Sequence, residues 1–450
     1  MRSSSLALAL TLTLAACNAR EGAPAPAVDK PVTEQGGAAG AVVPPAQAAT
    51  VASPVAPVWI VYARLVGNEP REVAAVLEDG SKPMTRLSRA GVDSTFAGSL
   101  PGHRVLVAAH AADGSITALD LVRADGAGRR EIAALPKGRF AKVTRAEVDG
   151  DAVVVELGRA DAPTSSDVVT IGVGAAPVTI AEGASLVTVA DGRVGFVVRG
   201  GVRSAKLDGS DVRTLGGDDR QDRVIEARGA RILMTLHAAG AADVRVAHLA
   251  GDHVDVAATA ADERAIGFAG AGAVALTRVI GQKKQLVAVG LDGKGERALT
   301  PADVDATAAS IAPNGDVLFT RPDGALALAP VAGGAVRVLD LAPGTDAKVA
   351  KVAADRAFTI GTGPTGGLLR ASMLDGSGTT VLCKEPLWIP FFGTVTSDGR
   401  VVFYRALAGR PDGGLLYSVK LDGTDLRPVG GVARDADGVA LGAPADQDFE

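Results

Sequence analysis

From Val58 onward the chain runs in apolar stretches of five to eight residues, rich in Val, Leu, Ile and Ala and broken by Gly, Asp and Asn. Runs this short, bounded by turn residues, predict strands rather than helices. In one run Leu415, Tyr417, Val419 and Leu421 alternate with Leu416, Ser418, Lys420 and Asp422, a period of two that gives one apolar face. The best helical candidate, Thr345 to Ala357 with Val349 and Val352 three apart, also fits the surrounding pattern as a strand and is read as one.

The strands recur in units. Lys206-Leu-Asp-Gly-Ser-Asp-Val-Arg-Thr-Leu215 is nearly repeated by Lys420-Leu-Asp-Gly-Thr-Asp-Leu-Arg-Pro-Val429. Gly290 to Leu299 and Met373 to Leu382 belong to the same set, and Asp79-Gly80, Asp125-Gly126, Gly251 and Gly333 fit more weakly. Asp-Gly between apolar strands is a hairpin signal, because Gly takes positive φ freely and Asp tolerates it. The turns fall near positions 79, 125, 174, 208, 251, 292, 333, 375 and 422, a mean step of about 43 residues. A second turn family, at Asp149-Gly150, Asp191-Gly192, Asn314-Gly315 and Asp398-Gly399, separates the first and second strands of a unit. The last unit contains Phe391 to Gly399, Val401 to Arg405, Leu415 to Leu421 and Leu426 to Val429, which makes four strands.

A period of 40–45 residues with four strands per unit is the mark of a propeller blade. The expected fold is therefore all-β: a single β-propeller of four-stranded antiparallel blades. Nine units can be counted, and eight blades are expected within a range of seven to nine, since rings of four to eight are typical. The first unit, at Trp59 to Leu65, lacks a first strand. Gly431 to Gly438 at the other end reads as a first strand with its turn, so the two termini are expected to close the ring together. Ala312-Pro-Asn-Gly-Asp-Val-Leu-Phe319 and Thr396-Ser-Asp-Gly-Arg-Val-Val-Phe-Tyr404, with the Leu-Asp-Gly strands, resemble the TolB-like propeller family over Val58 to Gly442. That family has six blades and a separate N-terminal α/β domain, and no segment here reads as that domain.

The N-terminus reads as an address. Arg2 precedes an apolar run, Leu6 to Leu14, followed by small residues, as in a secretory signal. Leu14-Ala15-Ala16-Cys17 resembles the lipobox of bacterial lipoproteins, which implies cleavage before Cys17 and acylation of that residue. Stable attachment through two or more acyl chains follows from about 0.8 kcal/mol per buried methylene. Asn18, rather than Asp, after the cysteine implies export to the outer membrane in diderm bacteria. Residues 18–57 hold 12 Ala, 7 Pro and 4 Gly, the composition of a disordered tether. The expected organisation is thus a signal peptide over 1–16, the lipidated cysteine and tether over 17–57, the propeller over 58–442 and a disordered tail over 443–450. The expected location is the cell envelope, with the propeller in the periplasm or at the cell surface.

Composition narrows the partners. A formal charge of −5 excludes a basic footprint for nucleic acid, and 3% aromatic residues argue against a stacking groove. Two cysteines make no disulfide framework, and with Cys17 lipidated, Cys383 is expected to be buried and inert. His103, His110, His237, His248 and His253 lack metal-ligand spacing. Asp208 to Asp211 and Asp422 to Asp425 resemble calcium loops but lack the further ligands, so turn chemistry is expected there. There is no Gly-x-Ser-x-Gly elbow and no phosphate loop. No catalytic, cofactor or metal residue is assigned. Trp388, Phe391 and Phe392, three of the fifteen aromatic residues within five positions, are the one candidate binding lip, against a reading as packed core.

These readings predict a monomeric, non-catalytic, lipid-anchored envelope propeller, TolB-like, serving as a platform for an envelope protein or a small ligand. The alternatives are an enzyme, a lyase or hydrolase with its site in the central channel, and a small-ligand sensor.

Overall fold

The computed structural model describes residues 59–429 apart from short stretches at 65–69, 78–82, 173–174, 200, 217–222, 239–240, 324, 340–347, 354, 364–365, 386–387, 396–398 and 408–409. Cys17, the tether, the tail and the closing segment Gly431 to Gly438 lie outside them. The described residues form strands joined by turns, arranged as eight four-stranded sheets and one of three strands. Within every sheet the strands are antiparallel neighbours in chain order. This is the β-propeller expected from the repeat, with a blade count around eight. Among the described residues the first sheet (Trp59–Arg64, Glu72–Leu77, Thr85–Arg86) has three strands and no inner first strand. The others, numbered two to nine in chain order, span 94–134, 140–181, 185–216, 223–257, 263–298, 307–339, 348–385 and 388–428. Thr345 to Ala357 contains the strand Lys348–Ala353, so the strand reading holds there.

Where they fall on described residues, both expected turn families occupy their places; Asp79-Gly80, Gly174 and Asp398 lie outside those residues. Asp208-Gly209 joins the third and fourth strands of sheet four. Its Lys206 N–H bonds the Ser210 carbonyl at 2.9 Å, and the Asp208 carboxylate accepts the Ser210 N–H at 2.8 Å. Gly209 has φ +82, a conformation that costs an L-residue about 1–2 kcal/mol. The second family closes the first hairpin of its sheets, for example at Gly192 and Gly315.

The middle strands read as unbroken apolar runs because a propeller sheet is covered on both faces. Val153 to Leu157 and Glu72 to Leu77 are buried at every position, whereas a sheet with one wet face would bury only alternate residues. Among the described residues, eight apolar clusters join consecutive sheets. Leu87 and Val107 belong to the first, Leu119 and Val155 to the second, Val168 and Phe196 to the third, Ile232 to the fourth, and Leu276 to the fifth. Phe319, Leu374 and Phe403 belong to the remaining three. Each fully buried Leu, Ile, Val or Phe contributes about 1.5–3 kcal/mol.

The first strands of sheets two to seven approach one another in succession, as do those of sheets eight and nine, which places them at the hub. Each of the eight carries a β-bulge where it pairs with its second strand. A bulge bends its strand and increases local twist, which re-aims the side chains beside it. Carboxylates stitch the hub laterally. Glu147 accepts the Val189 N–H of the next sheet at 2.7 Å, and Glu226 accepts the Phe268 N–H at 2.8 Å. Burial pushes the Glu147 carboxyl up, against the opposing effect of Arg145 and the Val189 N–H.

Candidate functional site

A cleft of ≈ 590 Å³ lies between sheet seven and the connector that leads into it from sheet six. Short strands create it. The outer strand of sheet six is only Arg297–Ala298, and those of sheet seven after the first are Val317–Thr320, Leu326–Ala329 and Arg337–Leu339. The space a longer outer strand would cover is bordered instead by the connector at 299–304 and by turns of sheet seven. Half-buried Val304 and Val336 and exposed Pro301 and Pro322 give its apolar lining, while Phe319 and Leu299 beside them are buried. Arg321, Asp303 and Asp323 supply charge.

The connector is held to the third strand of sheet six. Thr300 accepts the Leu286 N–H through its hydroxyl at 3.0 Å, and its carbonyl accepts Gln285 Nε2 at 2.8 Å. Lys283 Nζ donates to the Asp303 carbonyl at 2.7 Å, and Asp305 accepts the Lys284 N–H at 3.0 Å. On the opposite wall Arg321 Nη2 lies 3.1 Å from Asp323 Oδ2, both partly open to solvent. The Asp323 carboxylate also accepts the Ala325 N–H at 3.0 Å. The cleft therefore offers apolar wall, a cation with an exchangeable partner, and walls held by the backbone. Its volume lies within the range of about 300–1,000 Å³ usual for ligand sites.

The buried carboxylates serve as clamps. Asp120 is bound by Arg89, which also reaches Glu131 at 2.9 Å. In the next sheet Arg139 bridges Asp167 at 3.0 Å and Glu182 at 3.3 Å. Asp120 and Asp167 are 1% and 0% exposed, so each depends on its arginine for charge compensation.

The near-repeat in the sequence is a clamp as well. Arg193 Nη1 bonds Asp211 Oδ2 at 2.8 Å, and Arg400 Nη1 bonds Asp425 Oδ2 at 2.7 Å. Both aspartates have positive φ, and in both copies the same arginine reaches the aspartate carbonyl and a serine hydroxyl on the third strand. Hydrogen bonds from Arg213 and Arg193 lower the Asp211 pKa to about 2. The two loops resembling calcium sites are thus arginine-locked turns. Among the described residues, no three His, Cys, Asp or Glu side chains gather as a metal site.

Trp388, Phe391 and Phe392 lie in the strand Trp388–Val395, the first of sheet nine, opposite Leu407, Tyr404 and Phe403. That places their backbone in the inner strand of the last sheet; their side chains fall outside the description. Cys383 is buried beside Phe358 and Leu369. His110 is 8% exposed, with Nδ1 at 2.9 Å from the Gly114 carbonyl and Nε2 at 2.9 Å from Thr95 Oγ1, which makes it part of a turn. Sequence reading missed the cleft, because its lining comes from a connector and two separate turns with no common motif.

The fold and these features define a β-propeller protein. No protein-family model and no curated protein matches the chain. Solved structures match by fold. A eukaryotic initiation factor is 10% identical with a TM-score of 0.57, over 83% of this chain and 96% of that one. The tricorn protease is 9% identical with a TM-score of 0.38, over 85% of this chain and 46% of that one. The β-propeller domain of the Trilobed protease from Pyrococcus furiosus is 11% identical with a TM-score of 0.41, over 65% of this chain and 96% of that one. This chain spans about half the length of the whole peptidases it resembles.

These likenesses overturn the expectation of a non-catalytic, TolB-like interaction platform. Peptidases recur among them, including prolyl endopeptidases and a puromycin-hydrolysing peptidase. The expectation rested on the propeller repeat and on the lack of a serine elbow. Neither separates a platform from a hydrolytic protein, because the same scaffold serves both and function resides in the site.

Proposed function

We propose that this propeller binds the substrate of a peptide-hydrolysing function, holding an extended peptide in the cleft between sheet seven and the connector that leads into it. The observation that carries the reading is the cleft itself, with Val304, Val336, Pro301 and Pro322 as its open apolar lining beside Arg321 and Asp323. A peptide supplies apolar side chains for the wall and a carboxylate able to displace Asp323 from Arg321. The class of activity is the one named for the peptidases above, but the reading rests on the cleft and not on that likeness.

The test measures binding of fluorescent hexapeptides, each with one bulky apolar residue and an acidic end, to the full chain. Ala335 is an exposed lining residue, so Ala335→Phe fills the cleft without touching the core. Both Ala335→Phe and Arg321→Glu are expected to weaken binding at least roughly tenfold, while Asp323→Asn strengthens it by freeing Arg321. Unchanged affinity in all three variants, or no binding by the parent chain, would reject the cleft as the site.

The same proposal places the protein in the cell envelope, anchored through Cys17 to the outer membrane. Leu14-Ala15-Ala16-Cys17 and the tether behind it support this. Mass spectrometry of the N-terminal peptide from bacterial membranes is expected to find an acylated Cys17 as the first residue. An unmodified Cys17, or an intact Met1, would reject the anchor.

A further inference from the structure

One position recurs in every four-stranded sheet: the third-strand residue in line with the first-strand residue just before the bulge. It is charged in five of the eight, as Asp120, Asp167, Arg203, Arg245 and Arg370 in sheets two, three, four, five and eight. Sheets six, seven and nine carry Val287, Leu326 and Tyr417 there. A charge held between packed sheets is costly without a counter-charge. In sheets two, three and five the chain supplies one. Arg89 Nε donates to Asp120 at 2.7 Å, Arg139 to Asp167 at 3.0 Å, and Arg245 Nε to Asp255 at 2.6 Å. Arg203 and Arg370 are half-buried, the Nε of each is buried without a hydrogen-bond partner, and no carboxylate among the described residues pairs with either.

The two arginines differ in what faces them. Arg203 shares its interface with Glu156 of sheet three, whose buried carboxylate accepts the N–H of Leu186 at 2.8 Å. Leu186, Phe196 and Arg203 form one row across sheet four, so an internal acid stands in line with that guanidinium. Arg370 has a hydroxyl instead. Thr359 lies directly opposite it on the second strand and is 1% exposed, and its Oγ1 has no hydrogen-bond partner. Such cross-strand neighbours share a face, with Cβ atoms about 4.5–5.5 Å apart. Ala357, two residues before Thr359 on that face, packs with Leu318 and Leu326 of sheet seven. Acids in the nearby turns are engaged elsewhere. Asp316 accepts the Val331 N–H at 3.0 Å and pairs with Arg337, Asp375 accepts the Ser377 N–H at 2.8 Å, and exposed Asp355 pairs with Arg356. A guanidinium that cannot lose its proton and a buried hydroxyl are thus left with unused donors on one face.

We propose that Arg370 and Thr359 hold a small, singly charged anion, the size of chloride or of a carboxylate group, between sheets seven and eight. The anion does for Arg370 what Asp255 does for Arg245. Water would accept the same hydrogen bonds and leave the charge uncompensated. A multiply charged ion would bring excess charge against Leu318, Leu326 and Ala357. Thr359 and Arg370 meet only in the folded strand pair, so a bound anion stabilises the fold. The site lies on the face of sheet seven opposite Phe319, which packs toward sheet six beside the cleft. It therefore stands whether or not the cleft binds peptide.

Chlorine NMR of the full chain tests it, because chloride exchanging between site and solvent broadens the line. With ionic strength held constant by bulky sodium gluconate, chloride is expected to broaden saturably. It is also expected to raise the melting temperature by roughly 2 °C at about 200 mM. Acetate that displaces chloride and gives the same rise assigns the site to carboxylates as well, and acetate without effect confines it to the halide. Arg370→Gln is expected to remove the saturable broadening and the rise in melting temperature. Thr359→Val keeps the side-chain shape and reports on the site if Arg370→Gln fails to fold. It is expected to weaken chloride binding at least roughly fivefold, yet to melt no lower than the parent chain in gluconate, since it removes an unpaired buried hydroxyl. Arg245→Gln and Arg203→Gln, at the same position of sheets with their own acids, are expected to keep the chloride response. No saturable broadening in the parent chain, or chloride affinity unchanged in both Arg370→Gln and Thr359→Val, would overturn the proposal.

Discussion

Gly315→Ala is expected to lower the unfolding free energy by about 3 kcal/mol, from strain at positive φ and from overpacking against backbone. Gly315 ends the first hairpin turn of sheet seven. Its N–H bonds the Ala312 carbonyl at 2.8 Å, and its φ is +89. A Cβ at this position would lie 2.4 Å from the Gly270 nitrogen and 2.7 Å from the Gly270 Cα. Gly270 lies in the equivalent turn of sheet six, so the two sheets touch backbone to backbone here. A side chain could swing aside; a packed turn cannot. Gly281→Ala is the matched comparison, because φ is +65 there and no atom lies within 4 Å of the added carbon. That change carries only the conformational cost, about 1 kcal/mol. Urea melts of the two variants separate the contributions. Equal losses would mean that the turns do not meet in solution.

The same pair of turns marks what the sequence discloses. Asn314-Gly315 is legible as a turn, since its chemistry is local: Gly accepts positive φ, and Asp316 donates its N–H to the Asn314 side chain at 3.1 Å. The contact with Gly270 is not legible, because it depends on how adjacent sheets stack. The repeat period and the strand order within each blade were readable for the first reason. The bulges were not, because the unpaired residues Ala97, Thr144, Val187, Ile225 and Ile266 share no chemical signature. The aromatic cluster at Trp388 drew attention through rarity, whereas the cleft is built from ordinary residues whose proximity comes from short strands. Reading function from the absence of a serine elbow failed for a related reason. A fold that gathers side chains from distant blades leaves no compact motif to find or to miss.

Glu263→Leu is expected to destabilise the chain by about 3–5 kcal/mol, the range for removing one partner of a buried ion pair. Glu263 begins the first strand of sheet six and is 0% exposed. Arg278 Nε donates to its Oε1 at 2.6 Å, and Thr259 Oγ1 donates to the same oxygen at 3.0 Å. Arg278 also reaches Glu296 at 2.5 Å, so a single guanidinium ties the inner strand to the outer edge of the sheet. Removing Glu263 leaves the inner part of that guanidinium without its anion in a site closed to water. Arg278→Met alone strands Glu263 in the same way. The double variant Glu263→Leu/Arg278→Met is expected to recover most of the loss, because apolar replacement of both partners removes the desolvation penalty along with the attraction. A double-mutant cycle in urea measures this, and simple additivity would show that the pair is not coupled. Acid titration supplies a second readout. The hydrogen bond from Arg278 holds Glu296 below its usual range. A carboxylate with a depressed folded pKa contributes stability above its unfolded value, near 4.5, and loses it as pH falls through the folded value. The parent chain should therefore weaken on acidification below about pH 4.5, and Arg278→Met, which leaves Glu296 without its donor, should flatten that limb. An acid limb of the same slope in the variant would place the pH dependence in the other clamps.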